Sequence, residues 1–153
     1  MNTCLTRYFD AIEYAPESVI HFPAGLPGFE QERDFVIVEQ PAHRPLLFLQ
    51  SLAKRELCFL MLPVLTVDAE YRLRMRPEDV ELIGFRGRRQ PRIGRDVFCG
   101  VFLTAIPDET PTANLLAPIV INLQTRIAVQ AVRPEPAYSH CHPLSTREMV
   151  MAC

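Results

Sequence analysis

The sequence predicts a single-domain, antiparallel all-β fold with at most two short helices, on three observations. Short apolar and β-branched runs recur between turn signals, at residues 19–22, 35–38, 46–52, 57–62, 97–106, 115–121 and 125–132. No amphipathic helices of ten to fifteen residues alternate with these runs, which excludes βαβ units. The 14 prolines lie between Pro16 and Pro143 and interrupt every stretch long enough for a long helix.

The elements follow in order. Residues 19–22 lead into Phe22-Pro23-Ala24-Gly25-Leu26-Pro27-Gly28-Phe29-Glu30, two prolines and two glycines framed by Phe22 and Phe29. Leu26-Pro27-Gly28-Phe29 reads as a tight turn, because Pro27 pre-sets φ at its second position and Gly28 takes positive φ at its third. A solvent loop needs no aromatic at each end, so this one is expected to fold back and pin on the body. It holds no nucleophile, ligand set or phosphate cradle, and so points to recognition rather than chemistry. Residues 46–52 read as a core strand whose polar pair, Gln50 and Ser51, must tie a neighbouring loop or line a groove.

Residues 77–82 form a short predicted helix: Pro77 suits the first position, and Glu78, Asp79 and Glu81 suit the positive end of the helix dipole. Pro118 marks a strand start, and Asn122-Leu123-Gln124 forms a hairpin-type connection with Asn122 as the turn cap. Residues 125–132 alternate, with Ile127, Val129 and Ala131 on one face. Ser145-Thr146-Arg147-Glu148 has capping-box spacing for a terminal helix.

Composition narrows the function. The chain has 153 residues, enough for one domain with a real core, and 48% hydrophobic residues against 22% charged. Its net charge of −2 gives no global attraction to nucleic acid. No signal-peptide core opens the chain and no apolar run is long enough to span a bilayer, so a cytoplasmic protein is expected. Five cysteines, Cys4, Cys58, Cys99, Cys141 and Cys153, occur without a CxxC pair and read as reduced, mostly buried thiols.

Candidate chemistry is sparse. In His140-Cys141-His142, neighbours on an extended chain point to opposite faces, so the three side chains make a poor metal set. No GxSxG, HExxH, Walker or GxGxxG motif occurs, and no enzyme, cofactor or metal site is expected. The segment 86–95 carries five arginines with Gly and Pro between them. It supports an alternative reading as an RNA-binding regulator, although no base-stacking aromatics are interleaved and only Phe85 stands near.

The ordered motifs resemble the FliW family of flagellar assembly factors. The resemblance begins with Phe22 to Glu30 and continues in Phe48-Leu49-Gln50-Ser51, the apolar run ending at Pro63, and Tyr71. It resumes in Asn114-Leu115-Leu116-Ala117-Pro118-Ile119-Val120-Ile121-Asn122, Thr125-Arg126 and Gln130, and closes in Tyr138-Ser139 and His142-Pro143-Leu144. The set runs from about residue 6 to 144, leaving 145–153 as a tail of one domain over 1–153.

That resemblance implies a barrel-like antiparallel fold and no enzymatic activity; a monomer without membrane or direct nucleic-acid contact is expected. It implies two protein partners, flagellin and a CsrA-like RNA-binding repressor, exchanged by partner switching. The motif residues Phe22, Gly25, Pro27, Gly28, Phe29, Glu30, Gln50, Ser51 and Asn122 become candidate contacts. A basic repressor should meet acids, for which Glu70, Glu78, Asp79 and Glu81 are the candidates. Two departures stand out: Ile127-Ala128 replaces a Lys-Gly common in the family, and the 86–95 segment is unusually basic.

Overall fold

The computed structural model describes residues 1–86, 89–133 and 137–144. The predicted helix from Ser145 and the thiol of Cys153 lie outside the described residues, as does Arg88 of the arginine segment.

The apolar runs become strands. They are β3 (Ile20–His21), β4 (Asp34–Glu39), β5 (Leu47–Ser51), β6 (Cys58–Pro63), β7 (Val97–Thr104), β9 (Ile119–Asn122) and β10 (Ala128–Gln130). They form one antiparallel sheet in the order β10-β9-β7-β6-β5-β4-β3. Two short strands, β8 (Thr112–Ala113) and β11 (His142–Pro143), extend it: β8 follows β9 along β7, and β11 pairs with β8. Along β4 and β5, Phe35 faces Ser51 and Ile37 faces Leu49.

The curved sheet brings its two edges together. The His21 N–H donates to the Arg126 carbonyl at 2.9 Å, and His21 forms a parallel bridge with Ile127. This contact joins β3 to the start of β10, giving a barrel-like body without a continuous closing ladder. The enclosed core draws side chains from every strand between: Ile20, Phe35, Leu49, Met61, Ile119, Ile121 and Ala128 are buried there, and Phe98 and Phe102 of β7 pack against them.

A second core lies on the opposite face. Leu62, Val97, Cys99, Val101, Val120 and Val129 meet Val64, Val67, Tyr71, Met75, Val80 and Ile83 from the covering segment. That segment contains two short helices, α1 (Val64–Val67) and α2 (Pro77–Leu82). α2 lies where its Pro and acids place it. It stops at Gly84, whose φ of 95° suits glycine, while the Gly84 and Phe85 amides return to Glu81 and Val80.

Three differences from the sequence reading have local causes. Residues 115–118 are not strand: Asn114 Oδ1 accepts the amides of Leu116 and Ala117 at 3.1 Å each, which bends the chain. Residues 125–127 lie outside β10, because Arg126 sits at φ 63° and turns the chain. Ile127, Val129 and Ala131 do share the second core, but Ala128 is buried in the first, so β10 is covered on both faces. Finally, an N-terminal hairpin of β1 (Asn2–Leu5) and β2 (Ala11–Tyr14) packs on β5, with Phe9 edge-on to Phe48 at 4.9 Å.

Candidate functional site

The Phe22–Glu30 segment is built as a pinned turn. Phe22 is fully buried and meets Phe35 edge-on at 5.4 Å. The Gly25 amide returns to the Phe22 carbonyl at 2.9 Å. Leu26 and Phe29 then bond to each other across Pro27-Gly28: the Phe29 amide donates to Leu26 O at 2.7 Å and the Leu26 amide to Phe29 O at 3.4 Å. Gly28 adopts φ 83°, as its turn position requires, and Gly25 adopts φ 66°. At Gly25 a Cβ would clash with the Glu30 carbonyl oxygen, so only glycine fits. Glu30 closes the turn, its Oε1 accepting the Gly28 amide at 3.0 Å. That bond holds the Glu30 carboxyl below its ordinary range.

Phe29 leaves the turn pointing along the body rather than into it. It keeps 37% exposure and meets Phe59 edge-on at 5.5 Å. Phe59 in turn stacks on Phe102 at 4.6 Å, with rings 10° from parallel, and leans on Phe35 at 6.3 Å. Phe59 and Phe102 are half-buried. The result is a string of three rings, Phe29, Phe59 and Phe102, that runs from the turn across β6 and β7 and is open to solvent at its Phe29 end. An aromatic string of this kind offers apolar area at low ordering cost, which suits protein recognition.

The other motif residues act as ties. Gln50 Nε2 donates to the carbonyls of Ser51, Lys54 and Arg55, and Ser51 Oγ accepts the amides of Ala53 and Lys54 at 3.2 and 2.9 Å. Both residues are fully buried, so they hold the β5–β6 turn and line no groove. Asn122 Oδ1 accepts the Gln124 and Thr125 amides, and its Nδ2 donates to Ile83 O at 2.8 Å, fastening the β9–β10 turn to the end of α2.

The acids separate. Glu70, Glu78 and Glu81 are exposed, whereas Asp79 is buried and paired with Arg76 at 3.2 Å. Asp79 is therefore a staple of α2 and presents no free carboxylate to a partner. The arginine segment is partly anchored: the Gln90 side chain bonds both backbone groups of Met75, and Asp96 Oδ2 accepts the Arg92 amide at 2.8 Å. Phe85, the one nearby ring, packs into the second core, so it is not offered for base stacking.

Reactive groups do not assemble. Among the described residues no group of three His, Cys, Asp or Glu side chains is placed to hold a metal ion. Burial pushes the Cys58 thiol up to about 11 and Cys99 up to about 12, which keeps both protonated and poorly nucleophilic. Cys58 is only half-buried and Cys141 is exposed, so among the described residues the expectation of mostly buried thiols holds for Cys4 and Cys99 alone.

The model of the FliW protein family matches residues 3–144, nearly the whole described chain. The chain belongs to the FliW family. Among its relatives, the flagellar assembly factor FliW of Desulfitobacterium hafniense (strain Y51) is 34% identical over 89% of this chain and 86% of that protein. The flagellar assembly factor FliW of Bacillus subtilis (strain 168) is 31% identical over 91% of this chain and 94% of its own. A crystal structure of the flagellar assembly factor FliW superposes with a TM-score of 0.81 at 28% identity, covering 95% of this chain and 99% of that one. Among the described residues no helix is long and apolar enough to cross a membrane.

Within this FliW-family chain, sequence reasoning found the turn but missed Phe59 and Phe102. Each stands in an apolar run, and only the strand register, which sets Met61 opposite Phe102 and Leu49 opposite Phe59, reveals that they continue Phe29.

Proposed function

We propose that this chain is a non-enzymatic flagellar assembly factor that binds flagellin in the cytoplasm and thereby controls a CsrA-like repressor of flagellin translation. Free flagellin draws the chain away from the repressor, which then silences translation until flagellin is exported. Such an exchange needs only two competing affinities and mass action. The observation that carries the reading is the family's signature turn presenting Phe29 at the open end of an aromatic string.

The RNA-binding alternative gains no support from the anchored 89–95 segment or from Phe85. The test is co-purification of the chain with the flagellin and the CsrA homologue of the same organism at physiological salt. Recovery of both partners in separate complexes is expected; recovery of neither overturns the proposal.

A further inference from the structure

β4 is six residues long, but β3 covers only its first two positions, with Ile20 opposite Phe35 and His21 opposite Asp34. Hydrogen bonds fix which residues face which neighbour. The Leu52 amide donates to Asp34 O at 3.0 Å, towards β5, and the Phe22 amide donates to Arg33 O at 2.7 Å, on the β3 side. By the alternation of an antiparallel ladder, Val36 and Val38 bond to β5, and Ile37 and Glu39 turn their N–H and C=O to the other edge.

That edge is empty. In the register of β3, Ser18 would face Ile37 and Pro16 would face Glu39. The Ser18 amide is instead bonded to Ala15 O at 2.9 Å, within the short 3-10 turn Pro16–Ser18, and proline has no amide to give. The turn veers away and leaves a cleft of about 500 Å³, walled by Val36 to Glu39 on one side and by Ile12, Tyr14, Ala15 and Ser18 on the other. Among the described residues nothing bonds to the outward backbone groups of Ile37 and Glu39.

We infer that this open edge of β4 is a docking site for an extended peptide of another protein, added as a further strand and carrying basic side chains. The backbone supplies an unpaired donor and acceptor at every second residue, as strand addition requires. The cleft supplies apolar walls for alternate side chains. Charge selects the occupant: Glu13 and Glu39 line the cleft and Glu17 stands in the turn beside it. Of these only Glu39 has a basic partner, Arg44 at 3.0 Å; Glu13 and Glu17 form no ion pair among the described residues. A second copy pairing through the same edge would bring a second set of these carboxylates to the cleft, which disfavours self-association. The site is distinct from the Phe29 string and does not depend on which protein supplies the strand.

Amide hydrogen exchange on the intact chain tests this, with a blocked peptide alternating valine with lysine and threonine as probe. In the free protein, the Ile37 and Glu39 amides exchange fast and those of Val36 and Val38 slowly. Added peptide protects Ile37 and Glu39. A peptide with glutamate in place of lysine binds at least about fivefold more weakly. Glu39→Pro, which removes one outward donor, abolishes the protection, while Glu39→Gln retains it. Because proline could disturb β4, slow exchange at Val36 and Val38 must be intact in that variant. The double variant Glu13→Lys, Glu17→Lys gives an independent loss of basic-peptide binding without touching β4. Absence of protection at millimolar peptide overturns the inference. So does protection that rises with protein concentration alone, which makes a second copy the occupant.

Discussion

The Glu30 carboxylate holds the Gly28 amide at 3.0 Å, so the last residue of the signature segment is a strut of the turn that precedes it. Glu30 is exposed, and the family resemblance makes it a candidate contact residue. The bond gives it a structural part as well. The sign of its pH dependence follows: its folded pKa is depressed below the ordinary 4.5, so its contribution is present above that value and lost as pH falls through the folded pKa. Glu30→Gln should therefore melt with less change between pH 5 and pH 3 than the parent chain. Thermal melts at the two pH values check this, and equal slopes would remove the strut from the account.

The two glycines of the turn should differ in cost. Gly25→Ala meets both left-handed strain and a backbone clash at Glu30 O, for a loss of about 2–5 kcal/mol. Gly28→Ala meets the strain alone, since nothing lies within 4 Å of its Cβ, and should lose about 1–2 kcal/mol. Urea denaturation of the pair measures the difference; equal losses would mean that the turn relaxes around Gly25.

Phe29 should matter more to binding than to folding. Its ring is 37% exposed and rests on Phe59, so Phe29→Ala should cost the fold about 1 kcal/mol. At the centre of a protein interface the same truncation should weaken flagellin binding by about thirtyfold. Paired melting and titration curves separate the two effects, and unaltered affinity would move the interface away from the string.

Tyr71 ties the covering segment to the sheet. Its hydroxyl donates to Leu115 O at 2.8 Å, and its ring lies 4.5 Å from Tyr138, with the Arg133 guanidinium over both. Burial pushes the phenol from its ordinary 10 up to about 12. The folded state thus favours the neutral phenol, and its contribution is full below pH 10 and lost as pH rises to about 12. Tyr71→Phe should cost about 1 kcal/mol at neutral pH and flatten the alkaline loss of stability. Denaturation from pH 8 to 12 shows whether it does.

Much of this was legible in the residues. The strands β4 to β7, β9 and β10 coincide with the apolar runs to within a few residues at their ends, because their side chains serve two buried faces. The Pro-Gly turn and the Asn122 cap are local chemistry, readable from neighbours in sequence. What stayed hidden depends on distant partners. β1 and β2 are four-residue strands of mixed exposure, stabilised by packing on β5 rather than by their own pattern. Asp79 reads as a surface acid until Arg76 and the second core enclose it. The continuation of Phe29 through Phe59 to Phe102 needs the register of three strands, and the open edge of β4 needs the departure of the chain at Ser18.

The most direct test of the partner-switching claim is a displacement measurement. The chain is first bound to the CsrA homologue of its organism, and purified flagellin monomer is titrated in while release of the repressor is followed by fluorescence anisotropy. The account predicts saturable release, with the freed repressor recovering its RNA binding. A repressor that stays bound while flagellin saturates the chain, or flagellin that does not bind at all, contradicts it.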